Sequence, residues 1–139
     1  MKAFGLVNKC LQFEGKVSAN MTCGKILSHC LDKVGAFRHG MGLRVCVFKI
    51  GVTANPLARF GSYAELNFNS MWLLHMSNSV DLIHMLEAAM VSSFHKHVGC
   101  RNKEGTGGEG ALNRLGNVPS GPYFLYVTGG RADQPCRVG

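Results

Sequence analysis

Residues 43–56 read LRVCVFKIGVTANP, and no other stretch restricts the fold as much. Val45, Val47, Phe48, Ile50 and Val52 crowd β-branched and aromatic side chains into a short run, the composition of a half-buried or buried strand. Thr53 closes that strand. The Asn55 side-chain oxygen can cap a helix, and Pro56 suits the first helical position because its missing N–H would be unpaired there in any case. The chain therefore passes directly from a strand into a short helix over residues 55–63, with Arg59 on its first turn. Upstream, the glycines around residues 39–42 predict a turn, so residues 35–53 read as a hairpin.

Elsewhere the apolar period is helical. Val17, Met21, Ile26, Leu27, Cys30, Leu31 and Val34 recur mostly at three and four, which predicts an amphipathic helix ending at Gly35. Residues 71–77 form a third strand by length and composition. Ser79 then caps a longer helix over residues 80–97, with Asp81 at its positive end and His95 and His97 at its negative end. The Gly- and Asn-rich residues 99–121 predict a loop, and residues 122–128 a last, buried strand. The expected fold class is α/β in the mixed sense (α+β): a small, mainly antiparallel sheet of three to four strands with helices on its faces. In domain terms, residues 1–34 are an arm and helix, 35–128 the main domain, and 129–139 a polar Gly-rich tail. A chain of 139 residues, 46% of them hydrophobic, supports one core of this kind.

Fifteen Lys and Arg against eight Asp and Glu leave a formal charge of +7, spread along the chain rather than gathered in a tail. That excess favours a polyanionic partner, nucleic acid before an anionic membrane surface. No apolar stretch approaches the roughly 18 residues that span a bilayer, so no membrane partner is expected. The six cysteines contain no Cys-x-x-Cys pair, and Asn8, Lys9 and Gln12 interrupt the start before a signal-peptide core forms. Free thiols in a reducing compartment, nucleus or cytoplasm, are the expectation.

Glu87 is the most informative single residue. Val80, Ile83, Glu87, Met90, Val91 and Phe94 fall mostly three or four apart, which sets a carboxylate on an otherwise apolar helix face. Burying its charge costs on the order of several kcal/mol unless a cation or hydrogen-bond donors compensate. It therefore reads either as an edge residue reaching water or a lysine, or as a metal ligand or catalytic carboxylate meeting Arg59.

These residues resemble the signatures of the GIY-YIG nucleases. The second signature of that family runs Tyr-Ile-Gly-x-Thr with an arginine ten residues after the tyrosine; here Lys49-Ile50-Gly51-Val52-Thr53 precedes Arg59, and lysine in the tyrosine position occurs in some branches of the superfamily. Glu87 matches the metal-binding glutamate on a later helix, and Asn102, ahead of GTGGEG, matches the asparagine that follows it. The resemblance covers residues 35–128. The first signature is reduced to Gly35-Ala36-Phe37, so neither signature tyrosine is present; Lys49, His39 or Tyr63 would have to supply the general base.

The resemblance implies a divergent, metal-dependent endonuclease that hydrolyses phosphodiesters of DNA, or of RNA. Glu87 would hold Mg²⁺ (or Mn²⁺), Arg59 would stabilise charge on the non-bridging oxygens, and Lys49 and Asn102 would assist. A protein partner would supply target choice. The alternatives are a catalytically inactive nucleic-acid-binding module on the same scaffold and a structural subunit of a larger assembly. Other signals are weaker. GTGGEG at residues 105–110 follows no strand and reads as a loop rather than a dinucleotide motif. His84, His95, His97 and Cys100 have zinc-ligand chemistry without finger spacing. Tyr123, Phe124 and Tyr126 read as strand core rather than as base-stacking platforms.

Overall fold

The computed structural model describes residues 11–13, 22–64, 68–102 and 121–133. Seven elements follow one another: β1 (Leu11–Phe13), α1 (Cys23–Met41), β2 (Cys46–Thr53), α2 (Pro56–Ala64), β3 (Ser70–Ser77), α3 (Val80–Phe94) and β4 (Tyr123–Arg131). They build one four-stranded sheet in the order β1-β3-β4-β2. β4 pairs antiparallel with both β2 and β3, and β1 lies parallel to β3. The small, mainly antiparallel α+β arrangement read from the sequence is the one formed.

Strand alternation divides the side chains between two layers. Phe48, Ile50 and Val52 of β2 and Tyr123, Leu125 and Val127 of β4 enter the larger core with Ile26, Val34 and Phe37 of α1 and Ile83, Leu86 and Met90 of α3. Val47 of β2, Met71 of β3 and Tyr126 of β4 point the other way, into a smaller cluster with Phe60, Tyr63 and Phe68. Helices α1 and α3 thus cover one face of the sheet, and α2 covers the opposite face.

The caps agree with the sequence. Asn55 Oδ1 accepts from the Ala58 N–H at 3.2 Å, Pro56 opens α2, and the Thr53 hydroxyl accepts from the Asn55 N–H at 3.0 Å. Ser79 Oγ accepts from the Leu82 N–H at 3.1 Å and starts α3.

The expected hairpin is corrected. Residues 35–41 are helical, α1 continues through Gly35 and Gly40, and it stops only at Gly42, whose φ of 102° suits glycine and whose N–H donates to the Arg38 and His39 carbonyls. Each helical glycine costs about 1 kcal/mol relative to alanine. Phe37 outweighs that cost: it continues the buried stripe of Ile26, Cys30 and Val34, is 2% exposed, and sets its ring edge-on to Trp72 with centroids 5.3 Å apart. Burying a side chain of that size is worth roughly 1.5–3 kcal/mol. Helix α1 consequently runs through the expected domain boundary after residue 34, and β4 runs through the one after residue 128. Val17 and Met21, the start assigned to the first helix, lie outside the described residues, as does GTGGEG.

The outer edge of β2 is closed by residues 99–102. The Phe48 N–H donates to the Gly99 carbonyl at 2.9 Å, and the Arg101 N–H donates to the Phe48 carbonyl at 2.8 Å. This covers backbone groups that would otherwise offer an open strand edge. No helix among the described residues is long and apolar enough to cross a membrane.

Candidate phosphate-binding site on the α2 face

The α2 layer gathers Arg59, Lys49, Tyr63 and Tyr126. Tyr126 stands directly opposite Gly51 in the β2–β4 ladder. Its ring lies over the glycine, where a Cβ would fall on the hydroxyl and only 2.6 Å from Cζ. The Tyr63 and Tyr126 hydroxyls hydrogen-bond at 2.9 Å, and the two rings meet edge to face with centroids 6.1 Å apart. Both tyrosines are buried, at 7% and 1% exposure, so neither offers a face for stacking on a base.

Arg59, half-buried on the first turn of α2, sets its guanidinium against these two phenols. Burial opposes its charge, but the Tyr126 and then the Tyr63 hydroxyl more than offset this and raise its pKa. Tyr126 is itself held well above the ordinary phenol range, first by burial and next by Tyr63, while Arg59 pulls the other way. With its pKa raised further, Tyr126 keeps its proton at neutral pH and stands as an uncharged oxygen beside a full cation. Among the described residues the two hydroxyls are the partners that orient the guanidinium, and no carboxylate neutralises it. Lys49 adds a second cation to the same face, its Nζ 5.9 Å from the centre of the Tyr63 ring. Asp32, Asp81, Glu87 and Asp133 are the acidic residues among those described, and none belongs to β2 or α2.

The other two expected site residues lie elsewhere. Glu87 is buried, at 5% exposure, within the inward stripe of α3 between Ile83 and Met90. The sequence correctly set a carboxylate among apolar groups, and the fold supplies it with an interaction partner. It nevertheless belongs to the α1/α3 layer, with the sheet between it and Arg59, so the structure does not bring these two residues together. Asn102 is taken up by the backbone of β2: its Oδ1 accepts from the Ile50 N–H and its Nδ2 donates to the Ile50 carbonyl, both at 2.8 Å. The side chain thereby acts as one more rung of the sheet.

Among the alternatives for a lost tyrosine, Tyr63 and Lys49 join Arg59, whereas His39 is exposed near the end of α1. No group of three or more metal-ligating side chains occurs among the described residues. His95 Nδ1 instead meets the Val91 carbonyl at 3.1 Å, and the His97 ring packs on Phe94. Tyr126 is the member of the cluster that sequence reasoning assigned only to the core. The signal that would find it is Gly51: a glycine inside a buried strand marks a close approach. The cysteines among the described residues are free thiols.

No protein-family model, curated protein or solved structure matches this chain. The likeness to the GIY-YIG nucleases rests on the residues quoted above.

Proposed function

We propose that this chain is a nucleic-acid-binding domain that grips the phosphate backbone, DNA first, with the α2 face. A phosphodiester oxygen would meet the Arg59 guanidinium and the Lys49 ammonium. Phosphate contacts of this kind supply most sequence-independent affinity for DNA, and the +7 charge of the chain draws the polyanion in over a longer range. One observation carries the reading: among the described residues the Arg59 guanidinium has two tyrosine hydroxyls as its partners and no carboxylate, and the Lys49 ammonium lies over the ring of one of those tyrosines. A cation that no carboxylate of the described residues neutralises can meet an anion from solution.

The residues do not fit the divalent metal that the sequence resemblance implies. Magnesium keeps several of its waters and needs a carboxylate open to them. Glu87 faces inward beneath α3, and none of the other acidic residues among those described belongs to β2 or α2 beside Arg59. Hydrolysis through Glu87 is therefore the second reading, supported by the KIG-x-T and Arg59 spacing alone. Two assays on the purified chain separate them. In the binding reading, Arg59→Ala weakens capture of a labelled DNA duplex, Glu87→Gln does not, and supercoiled plasmid stays intact with Mg²⁺ or Mn²⁺. Metal-stimulated nicking that disappears in both Arg59→Ala and Glu87→Gln would replace the binding reading with the hydrolytic one. A single-stranded RNA of the same length, run beside the duplex, distinguishes DNA from RNA as the preferred polyanion.

A further inference from the structure

We infer that Gly51 and Tyr126 are positioning residues for Arg59: the missing side chain at Gly51 makes a slot for the Tyr126 hydroxyl, which locks Tyr63, and the two phenols together set the guanidinium toward bound phosphate. This deepens the binding reading above and rests on it. The sequence of contacts is short. Gly51 pairs with Tyr126 across the ladder, and a Cβ at Gly51 would meet the Tyr126 ring at 2.6 Å from Cζ and 3.2 Å from Cε1. The ring is 1% exposed and packed in the smaller cluster, so moving it disturbs the side chains around it. Any added side chain at Gly51 must displace the hydroxyl end of Tyr126. That displacement breaks the 2.9 Å bond to Tyr63 and removes the support under Arg59.

Tyr63 is fixed from the other side as well. It follows Arg59 by four residues, one turn along α2, and its ring packs against Phe68 with centroids 5.6 Å apart. Phenol and guanidinium therefore share one helix face, and the Tyr126 hydroxyl ties this face to the sheet by a hydrogen bond. Gly51 thus acts at a distance through two hydroxyls. Its role is specific to the guanidinium's orientation and differs from general support of the strand, because Ile50 and Val52 on either side belong to the opposite layer.

The test compares Gly51→Ala, Tyr126→Phe and Gly35→Ala with the wild type. Gly35→Ala is the control, since a Cβ there meets nothing within 4 Å. Two readouts are taken: the Arg59 Nε–H resonance in ¹⁵N-labelled protein, assigned by its loss in Arg59→Ala, and the affinity for a fluorescein-labelled DNA duplex. Gly51→Ala and Tyr126→Phe should shift or broaden that resonance and lose about as much affinity as Arg59→Ala, while Gly35→Ala changes neither. Should Gly51→Ala fail to fold, Tyr126→Phe alone decides, because it keeps the ring and removes only the hydroxyl. An unmoved resonance with wild-type affinity in Tyr126→Phe overturns the inference. A moved resonance in a protein that binds no DNA leaves the positioning role standing and removes the phosphate reading.

Discussion

Replacing Asn102 with alanine measures whether this residue is a rung of the sheet. Its side chain exchanges two hydrogen bonds with Ile50, each 2.8 Å long, at a partly buried edge of β2. A typical intramolecular hydrogen bond contributes about 1 kcal/mol net, and a buried donor or acceptor left without a partner costs roughly 1–3 kcal/mol. Partial exposure lets water reach one of the two Ile50 groups, so Asn102→Ala is expected to destabilise by about 2–4 kcal/mol. That is a large share of a stability on the order of 5–15 kcal/mol. In urea, with a slope of about 1–3 kcal/mol/M for a domain of this size, the unfolding midpoint should fall by about 1 M or more at unchanged slope. Asn102→Asp sharpens the test. A carboxylate still accepts from the Ile50 N–H but faces the Ile50 carbonyl with an oxygen in place of a donor, so it should recover less than half of the loss. An Asn102→Ala midpoint within the error of wild type would refute the assignment of Asn102 to the sheet and return it to the candidate site residues.

Three other outcomes follow from the core and from its buried titratable groups. Phe37→Ala should cost about 3–5 kcal/mol and alter the emission of Trp72, whose ring Phe37 meets edge-on; a loss below about 1 kcal/mol would count against a helix running through Gly35. His75, buried on β3, has its pKa lowered, mainly by desolvation and then by His29. The unfolded chain therefore binds this proton more readily, and the contribution of neutral His75 is complete above about pH 6.5 and lost as the pH falls through the lower folded-state value. Thermal melts of wild type and His75→Gln should converge as the pH drops through that range; parallel curves would contradict the placement. The Cys30 thiol, pushed up to about 12 by burial, should resist alkylation under native conditions at which the exposed Cys23 reacts within minutes. Equal rates for Cys23 and Cys30 would place Cys30 outside the core.

Local chemistry made part of this structure legible. β2, the Asn55-Pro56 start of α2, the Ser79 cap and the inward stripe of α3 with Glu87 on it each depend on neighbours within a few residues, and each formed as the sequence implied. Residues 35–41 misled because Gly35 and Gly40 signal a break only when little is gained by continuing. Phe37 gains a place against Trp72, 35 positions further along the chain. The site was harder to read. Spacing put Arg59 and Glu87 on separate helices but could not say which face of the sheet each helix would cover. The partner of Asn102 lies 52 residues away, and the hydroxyl that joins Tyr63 to β4 lies 63 residues away. Distances of that kind become visible only once the strand order β1-β3-β4-β2 places β4 beside β2.

The salt dependence of DNA binding bears most directly on the claim that the α2 face holds phosphate. Each phosphate contact should add about 0.9 to the slope of log affinity against log salt concentration. Measured on one DNA duplex, Arg59→Ala and Lys49→Ala should each lower the magnitude of that slope by about 1, and Glu87→Gln should leave it unchanged. Slopes for Arg59→Ala and Lys49→Ala that match the wild type, or a change confined to Glu87→Gln, would contradict the account.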